Sequence, residues 1–309
     1  MKAVRIHSFG GPEVLVYEDA PRPKPAAGEV LVKVHASSLN PVDGAMRAGH
    51  LQGMLQLQLP MTPGFDLAGV IEALGEGLNG FTIGDAVYGF SNMLRQGAYA
   101  EYAVLSASEL ARKPAGISFG EAASLPLAGL TAWQGLFTHG GLQADQTVLI
   151  HGAGGGVGSL AVQLALAKGA RVLATASSGK IALLHELGVH QAIDYTTSKF
   201  EHVARNVDLV FDAVGAEIER SFAVLKKGGK YVSPAVQPDP ALATKYGVSA
   251  NFMLVQANQN DLNQLSSLVE AGKLQPIVSE IVPLAEIIRA HELLERGHLR
   301  GKIAIQVIA

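Results

Sequence analysis

The sequence predicts a mixed α/β protein in which a β-rich first part precedes a doubly wound parallel sheet. Three observations predict it: a glycine-dense turn between an apolar strand and a helix at Thr147 to Lys168, a strand and helix alternation that repeats after it, and short apolar runs broken by Gly and Pro before it. With 309 residues, 48% hydrophobic and 17% charged, the chain carries enough apolar surface for two cores.

From the start, Lys2 to His7 alternates like a strand, and Glu29 to His35 and Ala68 to Leu74 are further strand patterns. Pro21-Arg22-Pro23-Lys24-Pro25 is a short stiff connector. From Thr147 the order becomes strand (Val148 to Ile150), helix (Val157 to Lys168), strand (Arg171 to Ala176), helix (Lys180 to Leu187). A second cycle comes next, with strands at Val207 to Asp212 and Lys230 to Ser233 around a helix at Glu217 to Leu225. Such alternation gives a parallel sheet covered on both faces. Beyond a helix at Leu262 to Ala271, strand patterns return at Ile277 to Val282 and Ile303 to Ile308, with Leu284 to Leu294 helical between them. These last strands are expected to rejoin the first part.

The glycine turn reads Gly152-Ala153-Gly154-Gly155-Gly156-Val157-Gly158. Ala153, Gly155 and Gly158 take the three positions of the Rossmann fingerprint: a tight turn, close backbone approach to a pyrophosphate, and close packing of helix on strand. The helix N-terminus then offers free N–H groups and a positive dipole end to the phosphates. A site selective for NAD carries an acid about 20 residues past the glycines to hold the ribose hydroxyls. None occurs between Gly152 and Lys180; the second strand ends in Ser177, Ser178, Gly179 and Lys180. Hydroxyls and a cation at that place favour NADP(H). Lys180, Ser177 and the phenol of Tyr195 make a charge-assisted donor set for a 2′-phosphate. On the plainer alternative, Lys180 is solvated in a helix's first turn and Tyr195 is a packed aromatic with its hydroxyl in water.

Ser38 to Gly49 packs polar groups into one turn after a strand. There the amide of Asn40 is placed to donate to a substrate carbonyl oxygen and stabilise negative charge as hydride arrives. Asp43 and Arg47 stand at i and i+4, the spacing of a first-turn acid paired with a helix cation. Thr131 is a second candidate hydroxyl, set against an ordinary helix threonine bonding its own backbone.

Other classes are disfavoured by composition. A net charge of −3 gives no overall basic field for nucleic acid or an anionic membrane. No cysteine is present, which removes disulfides, thiolate metal sites and a thiol nucleophile together. The ten histidines form no HExxH or HxxxH cluster, so no metal site is expected. The apolar runs are shorter than the ~20 residues of a membrane span, no secretion signal is visible, and a cytoplasmic location is expected.

Almost the whole chain resembles the medium-chain dehydrogenase/reductase superfamily, in its zinc-free quinone oxidoreductase (zeta-crystallin-like) branch. The resemblance is carried by Gly10 to Leu15, Asn40 to Asp43, Pro63 to Val70, Gly84 to Gly89, Leu125 to Ala132, the glycine turn, Asp208 to Gly215, and Gly301-Lys302. Asn40 to Asp43 and the ending Glu295 to Lys302 are most similar to the reticulon-interacting NADPH oxidoreductase subgroup. The resemblance implies a GroES-like β-rich domain over residues 1–125 and 276–309 and a Rossmann NADP(H)-binding domain over 126–275, with NADPH in the cleft between them and a homodimer as the assembly. It implies Ser177, Lys180 and Tyr195 around the 2′-phosphate, Gly154, Gly156 and Val157 along the pyrophosphate, and Val214 and Phe252 beside ribose or nicotinamide. Arg300, Gly301 and Lys302 would reach the cofactor from the other domain. Two departures stand out. The residues that ligate zinc in metal-dependent relatives are replaced, with Gly64-Phe65-Asp66 standing where those have Gly-His-Glu. A tyrosine of many bacterial quinone reductases is Ala45 here.

The expected activity is therefore NADPH-dependent and zinc-independent hydride transfer to a quinone or an α,β-unsaturated carbonyl, with Asn40 and Thr131 orienting the acceptor. The rival is an NADPH-binding redox sensor or structural partner without turnover. Alcohol dehydrogenation is disfavoured, since an unactivated alcohol needs help to lose its proton.

Overall fold

The structure is a computed structural model that describes residues 1–308 other than 93, 96 and 298. His298, within the C-terminal segment that carries part of the resemblance, lies outside the described residues. The chain forms two compact units: Met1–Leu127 with Gln256–Ala271 and Pro276–Ala309, and Ala128–Val255 with Gly272–Gln275.

In the second unit six strands form one sheet, in the spatial order Gln191–Asp194, Arg171–Ala176, Thr147–His151, Val207–Asp212, Leu225–Ser233, Ser249–Phe252. Every neighbouring pair is parallel. The sheet runs outward in both directions from Thr147–His151, so the order reverses beside that strand, where open α/β sheets bind ligands. Helices cover the faces, and the inner strands are buried almost throughout: Arg171–Ala176 exposes only its first residue. Such strands read as continuous apolar runs rather than as alternation. Phe200, Phe222, Tyr231 and Leu149 lead one core cluster of this unit.

The first unit is built on a seven-stranded sheet with Val278–Pro283, Lys302–Gln306, Glu29–Ser38, Asp66–Leu74, Ala86–Phe90 and Leu110–Arg112 in spatial order, and Tyr102–Ser106 also paired to Glu29–Ser38. Lys2–Ile6 and Leu15–Asp19 form a separate antiparallel pair. Two registers meet at Ser38, which lies opposite both Asp66 and Ala304. The end of one strand is thereby set between the start of a second and the start of the last. Bulges between Leu31 and Val32 and between Val34 and Ala36 let the strand Glu29–Ser38 bend ahead of that point. The helix Gln259–Glu270, which falls within the expected 126–275 segment, packs in this unit instead: Tyr88 donates to the Leu262 carbonyl at 2.6 Å and Gln259 donates to the carbonyl of Leu110 at 2.9 Å.

Candidate functional site

In the second unit the glycine turn leaves the strand Thr147–His151 and enters the helix Gly156–Ala167, whose N-cap is Gly155. Gly152 sits at φ +69°, a left-handed conformation that a side chain strains. A Cβ on Gly158 would lie 2.2 Å from the Gly152 carbonyl oxygen and 2.7 Å from Ala153 Cα, so only glycine lets the helix sit this close to the turn. On Gly155 the nearest atom would be 3.4 Å away. Ala153 is fully buried and donates its N–H to Thr175, leaving the pocket side of the turn to its glycine neighbours.

Beside this turn lies a cavity of about 430 Å³. Of the residues proposed from sequence it brings together Gly154, Gly155, Ser177, Lys180, Tyr195 and Val214, with His151, Thr175, Phe200 and Arg220 completing much of the wall. The stem of Lys180 folds over Gly154, where a Cβ would meet its Cδ at 2.5 Å. Partial burial of Lys180 holds its ammonium pKa below the usual lysine range. Tyr195 is 58% exposed, so its ring is not a packed core aromatic. Gly156 and Val157 open the helix. Phe252 ends the edge strand and is exposed, and it does not line the cavity.

Several wall and support residues were not foreseen. Buried His151 stands with Nδ1 3.0 Å from Thr175 Oγ1 and Nε2 3.1 Å from Ser221 Oγ, edge-on to Phe200. Burial lowers its pKa. Arg220 lies over the Phe200 ring and pairs with Glu201 and Glu217. Asp212 accepts the N–H groups of Val214 and Gly215 at 3.0 and 2.9 Å and the Tyr231 hydroxyl at 2.7 Å, which pins the Val214 loop. Asp194, at the end of the neighbouring strand, accepts from Ser178 and Thr196, and the Ser178 bond comes first among the causes that hold its pKa down. His151 and Thr175 sit at the strand ends beside the foreseen residues, and Asp212 ends its own strand, whereas Phe200 and Arg220 come from segments further along the chain.

In the first unit the candidate residues form a buried polar network. Asn40 precedes the helix Pro41–Arg47 and is 2% exposed. Its Nδ2 donates to Asp66 Oδ2 at 2.8 Å and its Oδ1 accepts from Lys302 Nζ. Asp66 also accepts from Ser38 Oγ at 2.7 Å and, through Oδ1, from the N–H of Leu127 at 2.7 Å. Lys302 donates to the Leu39 carbonyl at 2.8 Å, and its Nζ lies 3.6 Å from Asp66 Oδ2.

Two sequence expectations change here, the Asp43 to Arg47 pair and the setting of Lys302. The Asp43 to Arg47 pair is not made: Asp43 accepts the Asn40 N–H at 2.7 Å, whereas Arg47 binds Glu295 at 2.5 Å, the Gly10 carbonyl and His291 Nδ1. Lys302 is buried and committed to Asn40 and Leu39 rather than held out as a free cation. Gly301 is required by its own unit, since its φ is +74° and a Cβ would lie 2.2 Å from the Ile277 oxygen. Arg300 is exposed. Thr131 is buried on the helix Pro126–Trp133, directly ahead of a π-helical stretch Gln134–His139.

Burial raises the Asp43 carboxyl to about 7, and lifts the Tyr99 hydroxyl well above its ordinary value, with Asp43 adding to the effect. Among the described residues, no group of three or more His, Asp or Glu converges to hold a metal ion.

The two units together have a defined class: a GroES-like domain joined to a Rossmann-type parallel sheet. Residues 26–115 match the alcohol dehydrogenase GroES-like domain, and residues 187–305 match a family described as zinc-binding dehydrogenase. The chain is 36% identical to 2-methylene-furan-3-one reductase of Solanum lycopersicum, over 100% of this chain and 79% of that protein. It is 35% identical to a chloroplastic NADPH-dependent alkenal/one oxidoreductase of Arabidopsis thaliana, over 100% and 80%. The quinone oxidoreductase structure from Coxiella burnetii superposes with a TM-score of 0.92 at 39% identity, over 100% of this chain and 99% of that one. The chain belongs to the medium-chain dehydrogenase/reductase superfamily, as an oxidoreductase of its quinone oxidoreductase branch.

Proposed function

We propose that the protein is an NADPH-dependent, zinc-independent reductase that passes hydride to a quinone or an α,β-unsaturated carbonyl. The observation that carries this reading is the cavity beside the glycine turn, where Ser177, Lys180 and Tyr195 meet; the second strand itself ends without a carboxylate, and Asp194 on the neighbouring strand is engaged by Ser178 and Thr196. The residues fit a dinucleotide bearing a 2′-phosphate. Gly154, Gly155, Gly156 and Val157 bring backbone N–H groups and a helix N-terminus to a pyrophosphate; Lys180, Ser177 and Tyr195 supply a cation and hydroxyls to the phosphate. Val214, held by Asp212, offers an apolar wall to the nucleoside. NADPH, when bound, supplies the hydride.

For the acceptor, the donor set asks for a group that is already electron-poor. Asn40 gives one Nδ2 hydrogen to Asp66 and keeps a second, which is assigned to the acceptor's carbonyl oxygen. Thr131 is the second orienting hydroxyl. The residues do not fit zinc: Phe65 has no ligand atom, and both Asp66 oxygens are engaged by Leu127, Ser38 and Asn40. The names of the relatives, an alkenal/one oxidoreductase, a furanone reductase and a quinone oxidoreductase, agree with a conjugated acceptor.

The test is oxidation of NADPH and NADH by the purified protein against quinones, enones and enals. NADPH-selective turnover is expected. Tight NADPH binding without turnover on any acceptor would replace the reductase by a redox sensor. A homodimer belongs to the same reading, favoured by the exposed Phe252 and Leu254 at and beyond the sheet's edge strand, and sedimentation checks it.

A further inference from the structure

The amide of Asn40 is gripped from opposite sides by opposite charges. Nδ2 faces the Asp66 carboxylate at 2.8 Å, Oδ1 faces the Lys302 ammonium, and the two charges stand 3.6 Å apart. All three side chains are buried, Asp66 completely. An amide's nitrogen and oxygen are nearly the same size, so between neutral neighbours its two orientations differ little in energy. Between these neighbours they differ greatly. Turning the amide over sets oxygen against carboxylate and NH₂ against ammonium, exchanging two charge-assisted bonds for two repulsions where screening is weak. The turned form is disfavoured roughly a hundredfold or more.

We propose that Asp66 and Lys302 are positioning residues that lock Asn40 so that it presents an N–H and not its carbonyl, which restricts the group it recognises to a hydrogen-bond acceptor such as a carbonyl oxygen. The proposal rests on the reading of Asn40 as the donor to the acceptor's oxygen. It also gives Lys302 a role through Asn40 rather than on the cofactor. Ser38 and the Leu127 N–H complete the carboxylate's shell, and the Leu39 carbonyl anchors the ammonium.

Removing one charge alone strands the other in the interior, so the pair is replaced together, by Asp66→Asn with Lys302→Met. Turnover on an enone, NADPH affinity and Tm are measured for this pair variant, for Asn40→Ala, and for the three changes combined. The pair variant is expected to keep its NADPH Kd within about twofold and to lose about tenfold in kcat, and the combined variant to be no slower than Asn40→Ala. Losses that multiply, wild-type kcat in the pair variant, or a tenfold weaker Kd overturns the lock. If Asn40→Ala itself turns over like wild type, the donor reading fails, and the lock loses its catalytic meaning with it. If the pair variant does not fold, selectively ¹⁵N-labelled wild-type protein decides. A locked Asn40 amide shows one side-chain proton shifted far downfield of the other, and a pair at the positions of a free amide overturns the proposal.

Discussion

Burial and charge pull Lys180 in opposite directions. Its stem packs on Gly154 and its ammonium is partly stripped of water, so its charged form gains most when a phosphate stands beside it. Lys180→Ala is expected to weaken NADPH about 10- to 100-fold, the scale of one charge-assisted bond, and NADH about threefold or less; fluorescence titration of both cofactors checks it. Equal losses would remove the 2′-phosphate assignment. His291 carries a different prediction. The Arg47 guanidinium donates to its Nδ1, and burial followed by that neighbouring charge lowers its pKa to about 3. The unfolded imidazole takes up a proton near 6.5. Between these values the unfolded state binds more protons, so this contribution to stability is complete above about 6.5 and is lost toward pH 3, by about 1.4 kcal/mol per pH unit at most. Asp43, raised to about 7, acts with the opposite sign: the cost of burying its charge is felt above pH 7 and disappears toward pH 4. His291→Gln should therefore lose less stability than wild type between pH 6.5 and 4.5, by ~2 kcal/mol, read from urea unfolding at the two pH values.

At the scale of elements, the turn into the helix Gly156–Ala167 depends on a missing side chain. Gly158→Ala would press a methyl group into the backbone of Gly152 and Ala153, and is expected to cost about 1–3 kcal/mol and to weaken NADPH, because the same shift tilts the helix N-terminus. Thermal unfolding with and without cofactor separates the two effects. Local pattern reached these elements well. Arg171–Ala176 is legible to the residue, since a buried parallel strand bounded by glycine and serine reads as an apolar run. Gln191–Asp194 is not, having four residues of which only Ile193 is buried. The glycine turn, Ser177, Lys180 and Tyr195 were legible because one strand end and the turn beside it bring them together. The position of Lys302 was not. Its burial comes from a register that sets Ala304 against Ser38 and Ser38 against Asp66, a long-range pairing with no local trace. Arg220 was hidden because it comes from a distant helix, whereas His151, directly before the glycine turn, was in local reach and was passed over.

For the whole molecule, the lack of a converging ligand set among the described residues has a measurable outcome. Protein purified from zinc-replete medium should carry well under one zinc per chain by elemental analysis, and prolonged chelation should leave kcat unchanged. Stoichiometric zinc with loss of turnover on chelation would overturn the zinc-independent reading. The final strand Lys302–Gln306 lies between Val278–Pro283 and Glu29–Ser38 in the seven-stranded sheet. A chain ending at Arg300 should therefore cut Val278–Pro283 off from the sheet and leave Glu29–Ser38 without one of its neighbours. Loss of the Tyr99 environment in near-ultraviolet circular dichroism and rapid proteolysis within residues 1–127 are the expected signs.

That placement also sets the order in which the protein comes into being. Lys302 bonds to Leu39, 263 residues earlier, whereas the strands of the second unit come from the single run Ala128–Val255. On the ribosome the later-made unit can close its sheet first. The strands of the first unit wait, with Glu29–Ser38 lacking one neighbour until Lys302–Gln306 emerges from the exit tunnel. During that interval the uncovered edge of Glu29–Ser38 is a strand edge open to pairing with another chain.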